Sequence, residues 1–178
     1  MPHRLPVAGL ALLTLCVPSA ARANLAGTTQ RLSTGTATST FTVSLTLQAN
    51  CTITATALNF GTNGVLTTAL NQQTTVAVDC TNTTPYNVGL DGGTVSGSTV
   101  TNRLLAGTAT GNTTTTVSFQ LYQDSAHTTV WGTTQGTNTI GGTGSGSVQT
   151  ISVYGQIPVQ STPKPDTYQT TVTATVYF

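Results

Sequence analysis

The sequence predicts an all-β sandwich, and three observations support that prediction. About a quarter of the residues are Thr and 18 are Gly, a composition that favours strands and turns over helices. Almost every apolar stretch after residue 39 alternates apolar with polar residues, which is typical of half-buried strands. Turn-forming residues separate these stretches at intervals of about 10 residues, as expected for a sandwich of roughly seven strands.

The first predicted strand, Thr40–Gln48, has an apolar face and a face of Thr, Ser and Gln. Its apolar face consists of Phe41, Val43, Leu45 and Leu47. Asp91-Gly92-Gly93 is a strong turn signal that closes a later hairpin. The final segment alternates regularly up to Phe178. After the first strand, the predicted strands are Cys51–Ala57, Thr74–Cys80, Tyr86–Leu90, Thr115–Gln123, Val130–Trp131, Val148–Val159 and Tyr168–Phe178.

Charge is scarce, and this excludes or disfavours several functions. Only 5% of the residues are charged and the formal net charge is +1, so the chain lacks the basic footprint of a nucleic-acid-binding protein. It contains no Glu, and Asp124, Ser125 and His127 match a hydrolase triad in composition only. We therefore expect that the protein is not an enzyme, has no metal or cofactor site and has no small-molecule substrate.

The N-terminal region is predicted to direct export. Residues 1–23 combine a short positive start, an apolar run and a small-residue cleavage site between Ala23 and Asn24, as in a secretory signal peptide. Residues 24–38 lack apolar periodicity and are expected to form a flexible leader. Residues 39–49 then form the first strand segment, and residues 50–178 form the sandwich domain.

Two cysteines, Cys51 and Cys80, remain after cleavage of the signal peptide. An even number of cysteines in an oxidising compartment predicts a disulfide. The bridge would close a loop of about 30 residues and stabilise the fold by roughly 3 kcal/mol in the chain-entropy model. The alternative is a pair of buried free thiols, whereas a zinc site would need more ligands than the chain offers.

The two ends of the domain predict strand exchange between copies. A sandwich that stops at its last strand leaves a sheet edge and an open groove in the core, and such edges normally need protection. The apolar face of Thr40–Gln48 from another copy could fill that groove by strand addition. The alternative is that Thr40–Gln48 forms the first strand of a closed sandwich.

Several segments resemble the spore coat protein U domain family, which includes the pilins of archaic (Csu-type) chaperone–usher pili. The resemblance covers about residues 39–178. It rests on the order and spacing of short motifs: Leu58–Gly61, Val76–Cys80, Tyr86–Gly92, Arg103–Leu105, Phe119–Asp124, Trp131, Val153–Pro158 and Tyr168–Phe178.

The resemblance implies an incomplete immunoglobulin-like β-sandwich that is completed by a donor strand. A periplasmic chaperone would lend that strand first, and an outer-membrane usher would assemble a head-to-tail fibre of this and related subunits. The fibre would lie on the cell surface and support attachment and biofilm formation. The implied donor residues are Phe41, Val43, Leu45 and Leu47, and the implied acceptor-groove residues are Val172, Val176 and Phe178. Cys51 and Cys80 would join the first two core strands.

A second interpretation is a secreted spore-coat or carbohydrate-binding protein that folds as a closed monomer. It predicts a ligand patch around exposed aromatic side chains, for which Trp131 and Tyr122 are the candidates. For both rings, packing in the core or at a sheet edge is the favoured expectation.

Overall fold

The computed structural model describes residues 34–178. The predicted signal peptide, its cleavage site at Ala23 and Asn24, and leader residues 24–33 lie outside this range. The chain divides into two units after Val43. In the first unit, residues 34–43 are exposed and have no regular secondary structure. Among the described residues, no helix is long and apolar enough to cross a membrane.

The second unit contains nine β-strands. Its residues 44–50 are exposed and unstructured, and the strands begin at the first cysteine of the domain. The strands are β1 (Cys51–Ala55), β2 (Leu70–Cys80), β3 (Pro85–Leu90), β4 (Arg103–Gly107), β5 (Thr116–Tyr122), β6 (Ile140–Thr143), β7 (Gln149–Ile157), β8 (Tyr168–Gln169) and β9 (Ala174–Tyr177).

Two antiparallel sheets form the predicted sandwich. The larger sheet has the order β1-β2-β7-β5-β4-β8, and the smaller has the order β6-β3-β9. Their inward faces form one core, in which buried side chains alternate with more exposed residues along β2, β5 and β7. This period of two is the one expected for strands that cover a core on one face. The all-β sandwich prediction is confirmed.

Four local predictions differ from the structure. Thr40–Gln48 pairs with no strand among residues 34–178, because an alternating pattern supplies an apolar face but no partner. The predicted last strand divides into β8 and β9, which belong to different sheets. Val130–Trp131 reduces to an isolated bridge between Val130 and Tyr122. β6 lies in a Gly-rich stretch and is not among the predicted strands, since glycine is depleted in strands, yet it pairs with β3.

Arg103 is fully buried and binds several segments of the core together. Its Nε donates to the Asp91 carbonyl at 2.8 Å, and one terminal nitrogen donates to the carbonyls of Leu90 at 2.8 Å and Trp131 at 2.7 Å. The other terminal nitrogen donates to Val100 and to the Gln120 side chain. Because buried polar groups are costly when unpaired, this side chain fixes where these segments meet.

The surroundings of Arg103 also shift its proton equilibrium. Burial lowers the pKa of Arg103 to about 10, and the nearby Asp91 charge opposes that shift. The guanidinium therefore remains charged at neutral pH and is compensated mainly by carbonyl oxygens. Charge-assisted hydrogen bonds of this kind are stronger than those between neutral groups.

Replacing Arg103 by Ala should lower the free energy of unfolding by at least about 3 kcal/mol, because several buried acceptors lose their donor at once. Chemical denaturation monitored by circular dichroism measures the change. The control is Lys164→Ala, which removes an exposed cation with one hydrogen bond to the Gly111 carbonyl and should change stability by no more than about 0.5 kcal/mol. Equal effects of the two substitutions would contradict this account of Arg103.

Candidate functional site

An apolar groove of about 1000 Å³ opens between the edges of the two sheets. Its floor consists of inward-facing side chains from five strands, and its two walls are the segments 55–66 and 162–174. The floor residues are Leu70, Thr74, Val76, Leu90, Leu105, Val117, Phe119, Leu121, Val153 and Ile157. Pockets for small molecules place a few convergent polar groups among apolar ones, whereas this floor consists of aliphatic and aromatic side chains with a single threonine, Thr74.

The first wall lies on β7 because Gly155 has no side chain. A Cβ at Gly155 would overlap a methyl group of Leu58 and come within 3.1 Å of the Phe60 ring. The backbone next to these residues stays bonded to β2, with Thr56 N–H donating to the Thr75 carbonyl at 3.0 Å. Glycine at this position therefore allows the wall to approach the floor closely.

The second wall has a backbone edge that no strand of residues 34–178 covers. Thr173 forms a hydrogen-bonded pair with Asp91: Asp91 N–H donates to the Thr173 carbonyl at 3.1 Å, and Thr173 N–H donates to Asp91 Oδ1 at 2.9 Å. Backbone groups alternate in direction along a strand. The peptide groups of Val172, Ala174 and Val176 therefore point away from β3, towards the free edge of the smaller sheet.

The Asp91 carboxylate helps to hold this edge in position. Burial raises the pKa of Asp91, but hydrogen bonds from Thr173 and Gly93 and the charge of Arg103 outweigh that effect and bring the pKa below its ordinary value. The ionised carboxylate thus connects the end of β3 to the segment that leads into β9. Asp91 therefore links Arg103 and the free edge, since its carbonyl accepts from Arg103 and its carboxylate accepts from Thr173 beside the free edge.

The two walls meet at one end of the groove. Leu66 N–H donates to Thr162 Oγ1 at 2.8 Å, and Gln160 N–H donates to the Leu66 carbonyl at 3.3 Å. The Gln160 side-chain amide also pairs with both backbone groups of Ser118, at 2.9 and 2.8 Å. This amide takes the place of a neighbouring strand along β5 and fixes the position of both walls.

Asp166 anchors the second wall to the turn between β4 and β5. Its carboxylate accepts hydrogen bonds from the side chain of Asn112 and from the backbone N–H groups of Ala109 and Thr167. The Asn112 hydrogen bond is the main cause that holds the pKa of Asp166 below its ordinary value, and the Ala109 bond adds to it. Asn112 also donates to the hydroxyl of Tyr168 at 3.2 Å.

The four predicted donor residues are strongly exposed. Phe41 and Val43 have exposed fractions of 87% and 84%, and Leu45 and Leu47 have 82% and 79%. Large apolar side chains at this exposure, in a regular alternating pattern, are unusual for a folded monomer and mark a surface that another molecule can cover.

The three predicted acceptor residues lie in two places. Val172 lines the groove, together with Ala174. Val176 packs partly against the core, and with Phe178 it borders a separate surface hollow beside Pro85 and Asn87. Sequence reasoning did not assign the floor residues or the first wall to a groove. Their signals were the alternation in β2, β5 and β7 and the Leu58-Asn59-Phe60 motif.

Cys51 and Cys80 form the predicted disulfide, with their Cα atoms 4.1 Å apart. The two residues are directly opposite each other in the β1–β2 register. Asn50 continues this pairing, since Thr81 N–H donates to its carbonyl at 3.0 Å. The bridge therefore lies where the exposed N-terminal segment joins the sandwich.

The other candidate residues take part in core packing or in turns. Trp131 is fully buried and its Nε1 donates to the Val88 carbonyl at 2.8 Å, which confirms the expected core packing. Tyr122 is half-buried and contacts the His127 ring edge to face, with centroids 5.2 Å apart. The Asp124 carboxylate accepts backbone hydrogen bonds from Thr128 and Thr129, which is a turn-stabilising arrangement.

Comparisons with known proteins identify the family. The model of the Spore Coat Protein U domain matches residues 37–175, so the chain belongs to the Spore Coat Protein U domain family. No curated protein matches the chain. Among solved structures, it is similar to a chain in the crystal structure of the CsuC–CsuE chaperone–tip adhesion subunit pre-assembly complex from archaic chaperone-usher Csu pili of Acinetobacter baumannii.

That structural similarity concerns the fold. The identity is 24%, the TM-score is 0.52, and the match covers 75% of this chain. It covers only 40% of the chain from the complex. The shared architecture is the immunoglobulin-like sandwich described above.

Replacing Asp166 by Asn should loosen the second wall, because the neutral amide is a weaker acceptor for Ala109 and Thr167. Since the folded-state pKa lies below the unfolded value of about 3.9, the ionised carboxylate stabilises the wall at neutral pH. That contribution is lost as the pH falls below about 4 and through the folded-state pKa. Hydrogen exchange at Ala109 and Thr167 should therefore be faster in the variant at pH 7.

Asp124→Asn is the matched control, because Asp124 has a similar set of hydrogen bonds and its pKa is also lowered, chiefly by the Thr129 N–H. This control should accelerate exchange at Thr128 and Thr129 and leave Ala109 and Thr167 unchanged. Unchanged protection of Ala109 in Asp166→Asn would show that Asp166 does not anchor the wall to the turn between β4 and β5.

Proposed function

We propose that the chain is a structural subunit of a cell-surface pilus that polymerises by donor-strand complementation. In this proposal the segment Phe41–Leu47 of one copy fills the groove of the next copy. The observation that carries the proposal is the combination, in one chain, of an exposed alternating apolar segment and an apolar groove with a free strand edge.

The dimensions of the two parts agree. Phe41 to Leu47 spans six residue intervals, which is about 20 Å in extended conformation. The floor strand β2 contributes Leu70 and Val76 to the groove, and these residues are also six intervals apart. The donor segment can therefore place its four apolar side chains along the length of the floor.

The interaction energy is adequate for a long-lived contact. Burying four large apolar side chains at about 1.5–3 kcal/mol each gives roughly 6–12 kcal/mol before the costs of association. The free edge at Val172, Ala174 and Val176 adds backbone hydrogen bonds, which are the usual source of affinity in strand addition. The contact joins two different surfaces of the chain, so repetition produces a head-to-tail filament.

An unfilled groove and four exposed apolar side chains also favour the proposed partners. A subunit in this state is prone to aggregate, so a periplasmic chaperone that lends a strand and an outer-membrane usher that assembles the fibre fit the proposal. The name of the similar solved structure, a chaperone–subunit complex, supports the chaperone. Export to the cell surface, surface attachment and biofilm formation complete the proposal.

The double variant Phe41→Asp/Leu45→Asp should remain folded but fail to polymerise, because two carboxylates would enter an apolar floor. The matched control is Thr42→Asp/Ser44→Asp, which adds the same charge to the opposite face of the segment. Size-exclusion chromatography and electrophoresis without heating should show ladders for the unmodified chain and for the control, and monomer for the apolar-face variant.

A second measurement separates the proposal from the closed secreted monomer. A chain that starts at Gln48 should bind a peptide of residues 39–49, with affinity measurable by calorimetry. If the unmodified chain is monomeric and the apolar-face variant only melts at a lower temperature, then Thr40–Gln48 is an internal strand and the pilus proposal is wrong.

A further inference from the structure

We propose that the Cys51–Cys80 disulfide diverts tension around the first wall of the groove, so that the donor strand of the neighbouring subunit stays bound in the groove when the fibre is pulled. This inference rests on the proposed function, since a fibre subunit is pulled by its donor segment at one end and by its groove at the other.

Force that reaches the sandwich through the donor segment arrives at residue 50 and then at Cys51. Cys51 is the first residue of β1, and the disulfide connects it to Cys80, the last residue of β2. The chain beyond Cys80 continues through Thr81 into β3. Residues 52–79, which include the whole first wall, therefore lie outside the path that carries tension.

Without the disulfide, the same force would act along β1 and the first wall. β1 is the edge strand of the larger sheet and pairs with β2 over only five residues. Beyond it, the wall has no regular strand. Near β1 it is held by the Thr56–Thr75 hydrogen bond, by the Thr74 hydroxyl and by the Leu58 and Phe60 side chains on β7. Its far end is held by the hydrogen bonds of Leu66 to Thr162 and Gln160. Tension would shear β1 and then strip this wall from the floor.

With the disulfide, the path from one donor to the next is short. From Cys80 it runs through the turn 81–84 into β3, which pairs directly with β9. The free edge beside β9 is where the next donor strand would bind. The far end of β3 is fixed by Arg103, whose guanidinium bonds to the carbonyls of Leu90 and Asp91. Force thus passes through the centre of the smaller sheet and leaves the first wall unloaded.

The test measures the lifetime of a donor peptide under constant force. A peptide of residues 39–49 is seated in the groove of the mature chain, and the pull is applied between the peptide and the N-terminus of the chain in optical tweezers. Reduction of the disulfide should shorten the lifetime at least tenfold. The variant Cys51→Ala/Cys80→Ala should behave like the reduced chain, and affinity at zero force should change by less than threefold in either form.

Moving the handle from the N-terminus to Phe178 provides the control. Force then enters at β9 directly, so reduction should leave the lifetime unchanged. If reduction has the same effect through both handles, or none through the N-terminal handle, the diversion of tension is overturned.

Pulling the chain between its two termini, without peptide, tests the same path independently of polymerisation. The reduced chain should first release β1 and the wall, residues 51–69, as a step of about 60 Å at roughly 3.4 Å per residue, and the oxidised chain should lack that step. Absence of the step in the reduced chain would overturn the inference. Failure of the peptide to bind the oxidised chain at zero force would instead contradict the proposed function.

Discussion

The structure depends on the open edge of the smaller sheet, where among residues 34–178 β9 pairs with β3 on one side and with no strand on the other. The pair between Asp91 and Thr173 fixes the direction of the peptide groups that follow, and alternation then directs Val172, Ala174 and Val176 towards the open side. The apolar floor lies next to the same edge. Unpaired backbone groups therefore lie beside apolar side chains. An extended strand would supply both the hydrogen bonds and the apolar surface that such an edge lacks.

A sandwich with this gap needs its remaining contacts to be strong. Arg103 provides them through several segments at once, because its guanidinium joins the end of β3, the Val100 turn and the chain at Trp131. Gly155 contributes by close packing instead of hydrogen bonds, because the absence of a side chain allows the first wall to pack on β7. Asp166 and Gln160 then fix the second wall. The groove is thus bounded by specific hydrogen bonds on one side and close packing on the other.

Much of the fold could be predicted from the sequence because strand alternation is a local property. The alternation in β2, β5 and β7 and the pairing of Cys51 with Cys80 were recognisable without knowledge of the topology. The split of Tyr168–Phe178 between two sheets was not, since alternation continues unchanged where a strand crosses from one sheet to the other. The first wall of the groove, residues 55–66, could not be predicted either. Most of this segment lacks the alternation of a strand, and its position depends on the space left by Gly155, which is distant in the sequence.

The composition of the chain agrees with the proposed polymerisation. With only 5% charged residues, copies that pack end to end meet little like-charge repulsion. The same scarcity removes the charges that usually prevent an exposed strand from pairing with a wrong partner. In the proposed fibre, specificity must then come from the spacing of the apolar side chains in the donor segment and from the fixed walls of the groove. This explains why rigid hydrogen-bonded anchors such as Asp166 and Gln160 surround a site whose floor is apolar except for Thr74.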